Sequence, residues 1–88
     1  MLELSYTHQF KKDLKLVDKR GKKLSKLNEI VNLLCAEKSL PAKNRNHKLG
    51  GNYADHWECH IEPDWLLIYL KASKNLILVR TGSHADLF

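Results

Sequence analysis

NRNHKLGGNYADHWECHIEPDWLLIY, residues 44–69, is the stretch that decides the fold. Within it, polar and apolar side chains alternate over residues 56–62, which is the period of a strand with one buried face. Pro63 and Asp64 interrupt the alternation, because proline cannot donate to a strand ladder and aspartate favours turns. The apolar run at residues 65–70 indicates a central strand that is buried on both faces. These residues therefore predict two neighbouring strands joined by a short turn.

The length and composition fit one small domain. The chain has 88 residues, 43% of them hydrophobic, which is enough for a single core, so we expect residues 1–88 to form one unit. Lysine and arginine exceed aspartate and glutamate by 15 − 10 = +5, and the pI is near 9.3. A basic balance of this size fits a partner that carries phosphates or carboxylates, without identifying it.

The sequence carries no signal for secretion or membrane insertion. The opening Met-Leu-Glu-Leu has no cationic start followed by an apolar segment, and no stretch approaches the roughly 18 apolar residues of a membrane span. We therefore expect a cytoplasmic protein with no membrane partner. Cys35 falls in an apolar helical pattern and Cys59 on the apolar side of its strand, so both are predicted to be buried hydrophobes without a disulfide.

The N-terminal half is predicted to hold one strand and two helices. Alternation indicates a strand at residues 2–6, and Thr7 is a suitable N-cap for a helix that ends near Arg20. Helical spacing returns from Leu24 to about Glu37. The two helices should form a hairpin on one side of a sheet. Their apolar positions are Phe10, Leu14 and Val17 in the first helix and Leu24, Leu27, Ile30, Val31 and Leu34 in the second.

The C-terminal half is predicted to complete the sheet. Residues 38–55 show no periodicity and indicate an irregular connection, while residues 76–81 form a last strand that contains Arg80. Residues 82–88 make a tail. The predicted order is β-α-α-β-β-β, an α+β fold in which a two-helix hairpin packs on one face of a mainly antiparallel sheet and the other face stays open.

Basic residues concentrate in the helical half. Between Lys11 and Lys26 there are eight lysines or arginines against Asp13 and Asp18, a local balance of 8 − 2 = +6. A solvated helical face would have this composition, and so would a surface that faces the phosphates of a large nucleic acid. Composition is compatible with both interpretations.

Acid–base side chains should converge on the open face. Alternation places His60 there, with the turn at Asp64 nearby, Arg80 on the adjacent last strand of a meander, and His84 brought in by the tail. Without a serine or cysteine placed as a nucleophile, this set suits acid–base chemistry beside a phosphate. RNA supplies its own nucleophile, the 2′-hydroxyl. Each residue also has a simpler interpretation, as a surface histidine, an ion-paired arginine or a turn-forming aspartate.

A metal site is the chemical alternative. His56, Cys59 and His60, together with His47 or His84, have residue types that bind zinc. Alternation argues against such a site, because Cys59 and His60 point to opposite sides of the same strand, and no Cys-x-x-Cys pair exists. We therefore predict no metal and no other cofactor.

Three segments carry a specific pattern when they are taken together: NHKLGG at 46–51, ECHIEPDWLLIY at 58–69 and RTGSHADLF at 80–88. In this combination the chain resembles the YafQ-type toxins of the RelE/ParE superfamily, the ribosome-associated mRNA endonucleases of bacterial toxin–antitoxin pairs. The resemblance spans nearly the whole chain and implies a RelE-like fold. Trp57 departs from the pattern, since the family commonly has arginine between an aromatic residue and the acidic residue before the site histidine.

The resemblance also implies roles for individual residues. His84 would be the general acid, with His60 and Asp64 on the base side, and Arg80 would hold the scissile phosphate. Phe88 would stack on a base of the mRNA, and Trp65 would line or support the site, although it also suits the strand core. The implied acid–base set is His47, His60, Asp64 and His84, with Arg80 beside it, and the implied RNA-binding residues are Phe88, Trp65, Lys43, Arg45 and Lys48.

The predicted function is therefore that of a type II toxin: a metal-independent, ribosome-dependent endoribonuclease that cleaves mRNA by 2′-hydroxyl attack. Its partners would be a cognate antitoxin, the ribosome and mRNA. Under the resemblance, the basic residues from Lys11 to Lys26 become a candidate surface for ribosomal RNA. Two alternatives remain open, a ParE-like toxin that inhibits gyrase and a non-catalytic module that binds RNA or the antitoxin.

Overall fold

The structure, a computed structural model, describes residues 1–88 as five strands and three helices around one sheet. Two single turns of 3₁₀ helix, Ala42–Asn44 and Gly51–Tyr53, lie between the helical hairpin and the last three strands. The elements in chain order are β1 (Glu3–Tyr6), α1 (His8–Lys19), α2 (Leu24–Cys35), β2 (His47–Lys48), β3 (Trp57–Glu62), β4 (Trp65–Lys71), β5 (Asn75–Gly82) and α3 (His84–Leu87).

The sheet has the strand order β1-β5-β4-β3-β2. The strands from β2 to β5 pair antiparallel, and β1 pairs in parallel with β5. The predicted α+β architecture with a mainly antiparallel sheet is therefore confirmed. One register row is important for the site: Glu58, Ile68 and Arg80 lie opposite one another on β3, β4 and β5.

The main core lies between the helices and one face of the sheet. On this face the central strand contributes Trp65, Leu67 and Tyr69, each at most 2% exposed. The indole Nε1–H of Trp65 donates to the hydroxyl of Thr81 at 2.9 Å, and that hydroxyl donates to the carbonyl of Leu66 at 2.7 Å. The remaining core members are Leu2, Phe10, Val17, Leu27, Ile30, Val31, Leu34, Cys35, Cys59, Leu76 and Leu78.

The opposite face of the sheet is less open than the sequence predicted. Leu66 and Ile68 of β4 point to this face and are completely buried. Leu87 of α3 packs on them, and Leu49 and Tyr53 extend the cover. A strand that is apolar on both faces needs cover on both, and here the connection before β3 and the chain terminus supply the second cover.

The local predictions agree with the structure except in the connection and the tail. The hydroxyl of Thr7 accepts from the backbone N–H of Phe10 at 3.0 Å and caps α1, and Cys35 and Cys59 are both free and buried. The segment at residues 38–55 contains β2 and the two 3₁₀ turns, and the tail contains α3. No helix has the length and apolar character needed to cross a membrane.

Leucine truncation tests the central position of β4. Leu67→Ala should lower the free energy of unfolding by about 2–5 kcal/mol, because Leu67 is completely buried between the sheet and the helices and its loss leaves a cavity. Leu16→Ala is the matched control, since Leu16 is 42% exposed, and should cost less than about 1 kcal/mol. Urea denaturation measures both values, and equal losses would contradict this placement of the core.

Candidate active site

Two imidazoles face one buried carboxylate on β2 and β3. Glu58 is 5% exposed, and its Oε1 lies 3.5 Å from Nε2 of His47 and 3.4 Å from Nε2 of His60. Strand pairing explains the arrangement, because His47 lies directly opposite Glu58 in the register and His60 follows Glu58 by two residues on the same face. The rings of His47 and His60 are 6.5 Å apart between centroids.

The hydrogen bonds on the other ring nitrogens define where protons lie. Nδ1 of His47 is 2.6 Å from the carbonyl of Arg45, and Nδ1 of His60 is 3.3 Å from the carbonyl of Pro63. A carbonyl only accepts, so both Nδ1 atoms carry the hydrogen and both Nε2 atoms face Glu58. In the neutral rings these Nε2 atoms are the nitrogens that can accept a proton.

The third histidine lies at the start of α3 and pairs with the turn between β3 and β4. Oδ1 of Asp64 accepts from the backbone N–H of His84 at 2.9 Å and lies 2.6 Å from its Nδ1. These hydrogen bonds, the backbone one first, hold the pKa of Asp64 below its usual value. The sequence had grouped Asp64 with His60. The structure instead pairs Asp64 with His84, because the tail folds over the turn.

The rings of His60 and His84 approach to 5.6 Å between centroids, so the three histidines form a row from β2 to α3. Two local features hold the end of this row. Ser83 caps α3 with its hydroxyl, and the carboxylate of Asp86 accepts from the backbone N–H of Ser83 in a capping box. Gly82, at φ +155, leaves room for this carboxylate, since a Cβ there would lie 2.9 Å from Oδ2 of Asp86.

A polar depression of about 680 Å³ opens beside His60 and His84. Lys43 and Arg45, both exposed, line this depression. Beneath them Asn44 is buried and donates to the carbonyl of His60 at 2.7 Å, which holds the connection against β3. The depression is therefore lined by cationic side chains and imidazoles, together with the carboxylate of Glu62.

Arg80 lies on the same face as Glu58, but Ile68 separates them on the intervening strand. Its guanidinium makes two hydrogen bonds to the carboxylate of Asp13 on α1, both of 2.9 Å. The hydrogen bond to Asp13 raises the pKa of Arg80 more than burial lowers it, with a smaller contribution from Tyr53. The structure thus places Arg80 beside the histidine row without a direct contact to it.

Both tryptophans lie on the helix side of the sheet. Trp65 was expected to line or support the site, but it is 1% exposed and packs on the helix side of β4, so contact with RNA is excluded and only support remains. Trp57 is half-buried, also on the helix side, and the ammonium group of Lys48 lies 5.8 Å from its ring centroid. Lys48 is therefore an exposed cation on β2 that leans away from the histidines.

Phe88 is 63% exposed and meets the edge of Tyr53 at 5.9 Å between ring centroids. Tyr53 also contacts the ring of His56 at 5.5 Å. Phe88 is thus presented to solvent at the end of α3 and supported from one side, which agrees with a role in contacting a base rather than in the core.

Cys59 lies on the opposite face from the histidines. It is completely buried, and burial, followed by the charge of Glu58, raises its pKa to about 12. No group of three or more histidine, cysteine, aspartate or glutamate side chains is arranged to hold a metal ion.

Sequence reasoning missed three residues that organise the site: Glu58, Tyr53 and Asp13. Glu58 had been assigned to the face of His60 but given no role. Alternation could have identified it, because a carboxylate between site residues on an otherwise apolar sheet needs partners. Asp13 had been counted only as an acid within the basic helix. Its burial follows from α1 packing against the end of β5, which no local pattern reveals.

The basic residues from Lys11 to Lys26 are partly neutralised by the fold. The ammonium groups of Lys22 and Lys26 both reach Glu62, at 2.9 and 2.7 Å. Arg20 pairs with Asp86. Three of the eight cations are therefore engaged at the edge of the site, and the others remain on the exposed surface of α1 and the following turn.

The fold and the histidine row define the class of this protein as an α+β toxin domain of the RelE-like type. The chain matches, over residues 2–88, the family described as a bacterial toxin of a type II toxin–antitoxin system, YafQ. It is 41% identical to the mRNA interferase toxin YafQ of Escherichia coli strain K12, over 98% of this chain and 95% of that protein. The chain therefore belongs to the YafQ family of toxins.

Solved structures agree with this assignment. A copper-bound mutant toxin from Helicobacter pylori superposes with a TM-score of 0.95 at 39% identity, covering 100% of both chains. YafQ in the E. coli DinJ–YafQ complex superposes with a TM-score of 0.92 at 40% identity, covering 100% of this chain and 99% of that one. The RelE-like fold predicted from the sequence is confirmed.

The Glu62 ion pairs give a pH dependence to stability. Hydrogen bonds from Lys22 and Lys26 lower the pKa of Glu62, so its contribution is present above the unfolded pKa of about 4.3 and is lost as the pH falls through the lower folded value. Glu62→Gln should reduce the free energy of unfolding at pH 7 by up to about 1 kcal/mol and weaken its decline towards acid.

Glu29→Gln is the matched control for this prediction. Glu29 is exposed on the same helical hairpin and makes no ion pair, so the acid dependence should stay as in the wild type. Unfolding in urea at several pH values between about 3 and 7 measures the difference. If both variants gave the same profile, the contribution assigned to Glu62 would be refuted.

Proposed function

We propose that this chain is a ribosome-dependent mRNA endoribonuclease, the toxin of a type II toxin–antitoxin pair. The observation that carries the proposal is the row of His47, His60 and His84 with its two carboxylates, Glu58 and Asp64, beside a cationic depression. Imidazoles can exchange protons near neutral pH, and RNA brings its own nucleophile. The name of the E. coli relative, an mRNA interferase, supports the same activity.

His60 and His84 would act on opposite sides of the scissile phosphate. His60, beside Glu58, takes the proton of the 2′-hydroxyl, and the 2′-oxygen attacks phosphorus. The bond from phosphorus to the 5′-oxygen breaks, and His84 gives its Nε2 proton to that oxygen. Asp64 suits this acid role of His84, because a carboxylate on Nδ1 stabilises the imidazolium form. This proposal assigns Asp64 to the acid side of the reaction, whereas the sequence had placed it on the base side.

The products and the absence of a metal requirement follow from this route. One fragment carries a 2′,3′-cyclic phosphate or its opened 3′-phosphate, and the other carries a free 5′-hydroxyl. All the proton transfers are made by side chains, so the chemical step needs no metal ion, whereas metal-activated water typically leaves a 5′-phosphate.

Charge on the surrounding surface would direct RNA to the histidine row. Lys43 and Arg45 on the rim are suited to phosphates next to the scissile one, and Arg80 would offer its Nη1 edge to the phosphate itself. His47, whose Nε2 faces the same carboxylate, would exchange a proton with Glu58. The exposed lysines of α1 would contact ribosomal RNA.

A cognate antitoxin would neutralise the toxin by covering this face. The E. coli relative forms a complex with DinJ, and the excess charge of +5 here favours an acidic, flexible partner segment that folds on binding. The mRNA site and the antitoxin interface would then overlap, so binding of one excludes the other.

Removal of the nucleophile tests the mechanism. An mRNA with one 2′-deoxy nucleotide at the cleavage position should bind the ribosome and resist cutting, because the codon is still read while the attacking oxygen is absent. His84→Ala should spare binding and slow cleavage by about 10²–10⁴-fold, the contribution of a positioned general acid. Single-turnover cleavage on programmed ribosomes, with analysis of the fragment ends, measures both effects.

Three outcomes would count against this mechanism. Cleavage of the deoxy-substituted mRNA at the normal rate would exclude 2′-hydroxyl attack, and 5′-phosphate ends would indicate activated water. Inhibition of growth without any cleavage of mRNA would favour a gyrase-directed toxin or a non-catalytic module instead.

The exposed terminal ring has its own test. Phe88→Ala should reduce cleavage strongly while leaving the melting temperature nearly unchanged, because the ring is 63% exposed and meets Tyr53 at its edge. Phe88→Trp, which keeps an aromatic surface, should retain most of the activity. Circular dichroism separates folding from activity, and normal cleavage by the alanine variant would remove Phe88 from the site.

A further inference from the structure

Helix α1 carries no residue of the acid–base set, yet two of its side chains hold elements that do carry site residues. Asp13 is 6% exposed, and it binds Arg80 through both carboxylate oxygens. It also accepts from the backbone N–H of Thr81 at 3.3 Å and from the side-chain amide of Gln9 at 3.1 Å. Four donors from helix and strand thus converge on one buried carboxylate, which fixes the guanidinium relative to the end of β5.

Arg20, the C-cap residue of α1, makes the second link, seven residues after Asp13. Its Nη1 and Nη2 donate to the carboxylate of Asp86 at 2.5 and 3.2 Å. Asp86 in turn caps α3 through Ser83, so Arg20 holds the short helix that carries His84 and Phe88. A separation of seven residues is two helical turns, and Asp13 and Arg20 therefore lie on one face of α1.

The N-cap residue of α1, Thr7, also fixes the helix to β5. The backbone N–H of Thr7 donates to the carbonyl of Leu78 at 3.0 Å, and the hydroxyl of Thr7 donates to the carbonyl of Val79 at 2.8 Å. The strand β1 pairs with β5 only up to Leu78, which leaves the end of β5 free to meet α1. The N-terminus of α1 is thus attached to β5 immediately before Arg80.

We propose that Asp13 and Arg20 are positioning residues of the toxin: Asp13 orients Arg80 towards the scissile phosphate, and Arg20 holds α3 so that His84 and Phe88 meet the mRNA. This inference rests on the proposed endoribonuclease function and deepens it. Neither residue touches the substrate. Each acts through a residue that does, so loss of either one should lower the rate of the chemical step more than it weakens mRNA binding.

The charges make this expectation specific for Asp13. The ion pair of Asp13 with Arg80 has no net charge, so Asp13 contributes orientation while it weakens the attraction of Arg80 for phosphate. Asp13→Asn removes one carboxylate oxygen and the negative charge. The guanidinium then loses its fixed orientation but gains uncompensated charge, so KM for ribosome-bound mRNA should stay equal or fall while kcat falls.

The experiment compares Asp13→Asn with Asp18→Asn on wild-type and Arg80→Ala backgrounds. Asp18 is exposed on the same helix and makes no side-chain contact with the site, so Asp18→Asn repeats the change in net charge alone. In the wild-type background Asp13→Asn should lower kcat by about 10-fold or more. Complete removal of one charge-stabilising donor typically lowers kcat by about 10²–10³-fold, and in Asp13→Asn the donor Arg80 is still present. In the Arg80→Ala background Asp13→Asn should produce no further loss, because its action passes through Arg80.

Arg20 is tested by Arg20→Gln against Lys19→Gln. Both variants remove one positive charge from the last turn of α1, but only Arg20 binds Asp86. Arg20→Gln should lower kcat by several-fold more than Lys19→Gln, and hydrogen exchange should become faster at the amides of Leu87 and Phe88 in Arg20→Gln only. Any change in KM from lost charge should be the same in the two variants.

One measurement reads the orientation of Arg80 without any cleavage. In wild-type protein the Nε–H of Arg80 is hydrogen-bonded, so its NMR signal should persist in slow exchange with water, and it should disappear in Asp13→Asn but not in Asp18→Asn. Thermal unfolding of all variants gives the folded fraction. If Asp13 had a purely structural role, Asp13→Asn would lower the melting temperature and the active fraction but leave kcat per active molecule unchanged. Its effect would then add to that of Arg80→Ala.

The results separate this inference from the proposed function. If the wild type cleaves mRNA and Asp13→Asn has the kcat of Asp18→Asn, the positioning role of Asp13 is overturned while the nuclease stands. Equal kcat values for Arg20→Gln and Lys19→Gln would overturn the role of Arg20 in the same way. If the wild type cleaves no mRNA on ribosomes, the proposed function fails, and the inference that depends on it fails as well.

Discussion

The burial of β4 on both faces is the constraint on which the rest of the structure depends. A strand with Trp65, Leu67 and Tyr69 on one face and Leu66 and Ile68 on the other is stable only when each face is covered and each edge is paired. The helical hairpin covers one face, and β3 and β5 pair with the edges. In a chain of 88 residues little remains for the second face except the connection before β3 and the terminus. These are the segments that carry His47, His84 and Phe88.

The site therefore arises from the way in which the second face is closed. Leu87 packs on Leu66 and Ile68, and this apolar contact brings α3 over the turn between β3 and β4. Asp64 then meets the N-terminus of α3 and the ring of His84. The same closure brings Tyr53 beside Phe88. Core packing and site assembly depend on the same contacts here, so a residue can affect activity through packing without touching RNA.

Charge in this protein is arranged around the site rather than spread evenly. Acidic residues near the site each engage a cation or an imidazole: Asp13 holds Arg80, Asp86 holds Arg20, and Glu62 holds Lys22 and Lys26. The cations that remain without such partners, including Lys43 and Arg45, lie where a polyanion could approach. In the proposed function the excess of positive charge would serve recognition of RNA, while the ion pairs would serve orientation.

The sequence by itself determined the main elements and identified candidate site residues. Alternation at residues 57–62, the apolar run after Pro63 and Asp64, and helical spacing in the first half are local patterns, and local patterns reflect which side chains must be buried. They sufficed for the order of strands and helices, for the face of His60 and for Cys59 on the opposite side. The resemblance to known toxins added roles for His47 and Phe88, because those residues lie in segments without periodicity.

Only the tertiary structure decided the partners of these residues. The separation along the chain between Asp13 and Arg80, or between Arg20 and Asp86, is more than 60 residues, and their pairing depends on α1 crossing the end of β5. Asp64 was grouped with His60 by its place in the chain, but the fold of the tail pairs it with His84. Trp65 was expected to line or support the site or to belong to the strand core, and it lies in the core, because side-chain direction on β4 depends on the register of the whole sheet. Patterns along the chain specify burial, whereas the choice of partner across the molecule is made by packing.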